Sequence, residues 1–149
     1  MSKTKRVGSK SGDAAALMTR LIEAARAVRL QAYAPYSKYR VGAAIATRSG
    51  AVFVGCNVEN ASYGACLCAE RNAIAQMVVA GEKQPVACAV VTQGARPGSP
   101  CGICRQVLAE FALDMPIALV GDGATRNKRR DTTLAALLPD AFRFKAPPR

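Results

Sequence analysis

Leu17, Leu21, Ala24, Ala25 and Val28 recur at helical spacing and form one apolar stripe. The pattern predicts a helix capped by Ser11 or Asp13 that runs to about Ala32, where Tyr33-Ala34-Pro35-Tyr36-Ser37 ends it. The period then changes. Segments 41–47 and 51–57 are rich in small and β-branched residues and flank Ser49-Gly50 at hairpin distance. Beyond them, Cys68 to about Val79 reads as a helix stopped by Gly81, and 86–92 is an apolar run of strand length. Cys101 to Phe111 is again helical, and 116–120 gives another strand before a turn at Gly121-Asp122-Gly123. Thr132 or Thr133 caps a short last helix through Leu138, which Pro139 helps to end. Strands alternating with helices predict an α/β fold whose sheet is covered on both faces.

The 149 residues suit one domain with one core, and half of them are hydrophobic. With only 5% aromatics and no tryptophan, that core must be built from Ala, Val, Leu and Ile. The expected organisation is a disordered basic tail over 1–12 and a single domain over 13–149. No apolar run approaches the roughly 20 residues that span a bilayer, and the basic start lacks the apolar stretch of a signal peptide. A cytoplasmic protein without a membrane partner is therefore expected.

The net charge of +11 raises the possibility of a nucleic-acid partner. Its distribution argues otherwise. Lys3, Lys5, Arg6 and Lys10 lie in the Ser/Gly-rich tail, Arg126, Lys128, Arg129 and Arg130 crowd an expected loop, and neither cluster interleaves aromatics for base stacking.

Cys68-Ala69-Glu70 and Pro100-Cys101-Gly102-Ile103-Cys104 carry the candidate chemistry. Cys101 and Cys104 have common zinc-chelating spacing, and both segments fall at helix starts, where free N–H groups and the positive dipole end favour thiolates. Three thiolates would leave a fourth position on a tetrahedral zinc open for water or substrate, with Glu70 near enough to move protons. Three other readings compete. Disulfides and a redox pair are disfavoured, since a redox pair leaves Cys68 and Glu70 unused. Cys66 could close a structural four-thiolate site, although its Ala65 and Leu67 neighbours suit a packing role. Cys56 and Cys88 lie in strand-like apolar runs and are expected in the core. Glu70 alone could be an ordinary first-turn acid, and Asn57 and Glu59 ordinary strand-end residues.

The blocks Asn57-Val58-Glu59-Asn60-Ala61-Ser62-Tyr63-Gly64, Cys68-Ala69-Glu70-Arg71 and 100–107 (PCGICRQV) closely resemble the small cytidine deaminases of nucleoside salvage. The resemblance runs from Ala34-Pro35-Tyr36-Ser37 to 137–142. It implies an α/β/α sandwich with a mixed five-stranded sheet and one zinc per subunit on Cys68, Cys101 and Cys104. It also implies hydrolytic deamination of cytidine and deoxycytidine to uridine and deoxyuridine plus ammonia, with Glu70 as proton carrier.

Further roles follow only from that resemblance. The Ala69 N–H would donate to the base O2, and Asn57 and Glu59 would hold the ribose 3′-hydroxyl. Arg71 would donate to the zinc-bound thiolates, whose net negative charge with the metal needs positive compensation. Tyr39 stands where the family usually has a phenylalanine near the substrate, and Arg40 replaces a common proline. Ala61, Tyr63 and Phe142 match positions that reach into a neighbour's pocket in a homotetramer. A carboxylate at Glu59 would repel a 5′-phosphate, which favours a nucleoside over a nucleotide.

Overall fold

A computed structural model describes residues 10–123 and 128–144. Five strands form one sheet: β1 (Val41–Thr47), β2 (Val52–Cys56), β3 (Pro85–Gln93), β4 (Pro116–Asp122) and β5 (Lys128–Thr133), in the spatial order β2-β1-β3-β4-β5. Only β3 and β4 pair in parallel, which makes the sheet mixed. Four helices cover it: α1 (Lys10–Arg29), α2 (Ala69–Val79), α3 (Gly102–Ala109) and α4 (Leu134–Leu137).

Side-chain alternation explains the layers. On β1, β3 and β4, Ala44, Ala46, Ala87, Ala89 and Ala118 point to one face, where they meet Met18, Leu21 and Ala25 of α1. This carpet of alanine lets α1 lie close to the sheet. At Gly42 a Cβ would come within 2.0 Å of the Ala25 carbonyl oxygen, so only glycine serves there. The alternate residues Ile45, Val90, Ile117 and Leu119 are larger and pack with Ile74 and Met77 of α2, Leu108 of α3 and Leu134 of α4. The result is the expected α/β/α sandwich.

The hairpin forms as its sequence predicts, with Gly50 at φ +92° in the turn and Ala46 opposite Val52. Several boundaries differ from expectation. Within the described residues α1 runs from Lys10, so Ser11 and Asp13 lie within the helix rather than before it. It stops at Arg29 because Tyr33 is drawn into a parallel bridge with Val58, its N–H donating to the Asn57 carbonyl at 3.0 Å. The tail expected over 1–12 is helical from Lys10, and residues 1–9 lie outside the described part.

Gly121 and Asp122 are not a turn but the end of β4, paired with Lys128 and Gln93. The charged loop expected around 126–130 is from Lys128 onward the edge strand β5, whose backbone pairs with β4 while Lys128, Arg129 and Arg130 stay exposed. Arg126 falls outside the described residues. Thr133 does cap α4, its hydroxyl accepting from the Ala136 N–H at 3.2 Å. Among the described residues no helix is long and apolar enough to cross a membrane.

Candidate active site

Two helix starts converge at one end of β3. Cys68 is the N-cap of α2 and Cys101 the N-cap of α3, both in extended conformation, and Cys104 follows in the first turn of α3. The parallel crossover from β3 through α3 to β4 aims that helix start at α2, which approaches from the β2 side. Gly55 permits the approach. A Cβ there would stand 2.3 Å from the Ala69 carbonyl oxygen and 2.5 Å from the Ala73 nitrogen.

The three sulfurs lie within 4.8 Å of one another, Cys68 and Cys101 at 3.8 Å. Tetrahedral zinc with bonds of about 2.3 Å spaces its sulfurs by about 3.8 Å, so the donor set fits this metal in chemistry and in spacing. Cys66 lies outside the group. It is half-buried, and its sulfur accepts from the Asn60 N–H at 3.3 Å. Cys88 is core as expected, its thiol pushed up by burial and by the charge of Glu70, whereas Cys56 is only half-buried.

Glu70 is 4% exposed, and the Cys104 thiol donates to its Oε2 across 3.5 Å. Burial holds its carboxyl above the ordinary range, and the Cys68 thiolate adds to the shift. The Cys68 thiol is drawn down to about 5 by hydrogen bonding from Cys104, with Arg71 and Cys101 assisting. Cys104 moves the opposite way, raised by its bond to Cys68, by burial and by Glu70. Arg71 Nη2 donates to the Cys66 carbonyl at 2.7 Å, while its Nε is buried without a partner.

A cavity of about 280 Å³ opens from the sulfurs. Cys68, Ala69, Glu70, Cys101, Asn57, Glu59 and Tyr39 all line it. Alternation after β2 turns Asn57 and Glu59 to the same side while Val58 bridges Tyr33 and Leu67. Both side chains already have partners. Asn57 Oδ1 accepts from the Val41 N–H at 2.8 Å, and its Nδ2 donates to the Tyr39 carbonyl at 2.9 Å. Glu59 accepts from the Tyr36 and Ser37 N–H groups and from the Ser37 hydroxyl. That hydroxyl, with the two amides, keeps its carboxyl below the usual range. Spare lone pairs on the carboxylate and one amide proton of Asn57 remain for a ligand.

Ala61, Tyr63 and Phe142 are not brought to this cavity. All three are exposed, Tyr63 by 85% and Phe142 by 65%, so neither aromatic belongs to the core of the subunit. Sequence reading missed Ser37, Thr92 and Ser99, which also line the cavity. Thr92 is 3% exposed, and its hydroxyl accepts from the Gly98 N–H at 2.8 Å, shaping the loop before Cys101. Its place at the end of an apolar strand was the available signal. Arg105 was missed as well; it braces the same loop through the Pro100 carbonyl at 2.7 Å and ties it to the Leu137 carbonyl of α4.

A mixed sheet with two helix starts presenting three thiols beside a buried carboxylate defines a metal-binding α/β/α protein equipped for proton transfer. Within that class the chain belongs to the cytidine and deoxycytidylate deaminase zinc-binding family, whose model matches residues 16–119. It is 44% identical over 124 residues to a cytidine deaminase of Sporosarcina psychrophila, covering 83% of this chain and 89% of the relative. A cytidine deaminase of Mycobacterium tuberculosis is 40% identical over 123 residues, covering 79% and 84%. The crystal structure of cytidine deaminase from Burkholderia pseudomallei superposes with a TM-score of 0.77 at 48% identity, covering 83% of this chain and 98% of that one.

Proposed function

We propose that this protein deaminates cytidine and deoxycytidine by hydrolysis, giving uridine or deoxyuridine and ammonia. The observation that carries the reading is the buried Glu70 carboxyl, which takes a hydrogen bond from Cys104 of the three-sulfur group and lines a cavity that Asn57 and Glu59 also line.

Cys68, Cys101 and Cys104 would hold the zinc, which when bound would supply the Lewis acidity that makes water nucleophilic near neutral pH. Glu70 accepts a proton from the attacking water and delivers it to N3 of the base as oxygen bonds to C4. The same carboxyl next carries a proton to the exocyclic nitrogen. The C4–N bond breaks, ammonia leaves and C4 becomes a carbonyl. A carboxyl held above its ordinary range by burial suits this double duty, since it must both take and give a proton. The Ala69 N–H, in the first turn of α2, orients the base through O2. Arg71 offsets the thiolate charge from behind. Asn57 and Glu59 grip the sugar 3′-hydroxyl, and Tyr39 flanks the substrate.

Exposed Tyr63 and Phe142, with Ile103 61% exposed on α3, support a homotetramer in which Ala61, Tyr63 and Phe142 complete a neighbour's pocket. The partner is a small nucleoside rather than a nucleic acid, in a cytoplasmic role in pyrimidine salvage, with one catalytic domain over 13–149. Zinc-loaded protein incubated with cytidine should shift the ultraviolet absorbance to that of uridine. Absence of turnover with either cytidine or deoxycytidine overturns the assignment, and native mass measurement tests the tetramer.

A further inference from the structure

Glu59 is held by a segment that also carries Tyr39. Its Oε2 accepts from the Tyr36 N–H at 2.9 Å and the Ser37 N–H at 3.2 Å, and its Oε1 accepts from the Ser37 hydroxyl. The oxygen of that hydroxyl accepts in turn from the Tyr39 N–H at 3.0 Å. The Tyr39 carbonyl then takes the Asn57 side-chain amide at 2.9 Å, and the Asn57 backbone closes the circuit to Glu59 through Val58. Lys38, at φ +59°, turns the chain so that Ser37 and Tyr39 both reach inward. One hydroxyl thus joins the carboxylate, the cavity wall and the neighbouring amide.

We propose that Ser37 is a positioning residue for the sugar end of the site: its hydroxyl fixes the rotation of the Glu59 carboxylate and so sets the preference for nucleosides that carry a 3′-hydroxyl. This rests on the reading that Glu59 and Asn57 grip that hydroxyl.

The division of labour between the two carboxylate oxygens gives the size of the effect. Two backbone amides anchor Oε2, so without the serine hydroxyl the carboxylate stays in place. It becomes free to pivot about that anchor. Oε1 loses its only hydrogen-bond partner among the described residues, and a carboxylate that rotates presents its lone pairs to the sugar for only part of the time. Ser37 is itself exposed, so its truncation leaves no buried void.

The test compares cytidine with 3′-deoxycytidine on zinc-loaded enzyme. Ser37→Ala should raise KM for cytidine roughly tenfold, the scale of one lost hydrogen bond to a charged group, with kcat within about twofold. It should leave kcat/KM for 3′-deoxycytidine unchanged, so the preference between the two substrates falls roughly tenfold. Ser37→Thr keeps the hydroxyl and should restore the preference, whereas Ser37→Gly should reproduce the loss. Zinc content stays stoichiometric throughout. An equal loss on both substrates, or an undiminished preference, overturns the proposal. Glu59→Ala separates the two levels. If it leaves the preference intact, the sugar grip fails and the role of Ser37 with it. If it abolishes the preference while Ser37→Ala does not, the grip stands and only the role of Ser37 fails.

Discussion

The Cys104 thiol donates to Glu70 Oε2 across 3.5 Å in the protein interior, so a candidate metal ligand and the proposed proton carrier share one contact. A Cys104 thiolate bound to zinc could no longer donate, which would free that lone pair of the carboxylate.

Glu70→Gln preserves size and can still hydrogen-bond, but it cannot carry a proton. Zinc content should remain stoichiometric by metal analysis while the rate with cytidine falls by roughly a thousandfold. A variant that keeps wild-type turnover would remove Glu70 from the reaction.

The metal-stripped protein should show an unusual thiol. Cys68, lowered from 9.0 to about 5 by Cys104 and its neighbours, should be alkylated with a rate that rises through a midpoint near pH 5, while Cys104 stays unreactive. The sign for stability follows. A thiol depressed in the folded state contributes stability that is full above 9.0 and lost as pH falls toward about 5. Urea melts of this metal-stripped form should accordingly lose stability over that window on acidification. Labelling mapped by mass spectrometry with a midpoint near 8 or 9 would contradict the arrangement.

Cys66→Ser should leave the zinc stoichiometry unchanged, because Cys66 stands outside the three-sulfur group. Cys104→Ser should lose most of the metal and, at a fully buried position, also lower the thermal midpoint. Metal analysis of both variants decides the matter, and zinc loss from the first would mean a fourth thiolate.

Gly55→Ala tests the close approach of α2 to β2. A Cβ 2.3 Å from the Ala69 carbonyl oxygen must push the helix away, at a cost of about 1–3 kcal/mol. The urea midpoint should fall accordingly. The activity of the protein that remains folded should fall as well, since Ala69 and Glu70 ride on the displaced turn.

Local chemistry made much of this legible in advance. Ser49-Gly50 announced the hairpin, and Cys68 and Cys101 were placed at helix starts because the apolar period resumes there. The edge strand β5 escaped because Lys-Arg-Arg-Asp-Thr-Thr carries no alternating apolar face, and its extended form comes from pairing with β4. The end of α1 was missed for a similar reason, since a bridge to Val58 overrides helical propensity after Arg29. Within the site, spacing and motif singled out Cys68, Cys101 and Cys104, whose sulfurs the fold brings together, and the neighbouring Glu70, which it buries. The bond between Ser37 and Glu59 joins residues 22 apart on separate segments, and no local pattern encodes it. Cys56 was expected in the core from its apolar run, yet β2 is the outer strand on its side and leaves it half-buried.

The charged edge strand has a bearing on how copies of this chain can meet. β5 carries Lys128, Arg129 and Arg130 exposed on an edge strand, a charged row of the kind that works against edge-to-edge pairing. At that margin the charge discourages ribbon-like extension of the sheet.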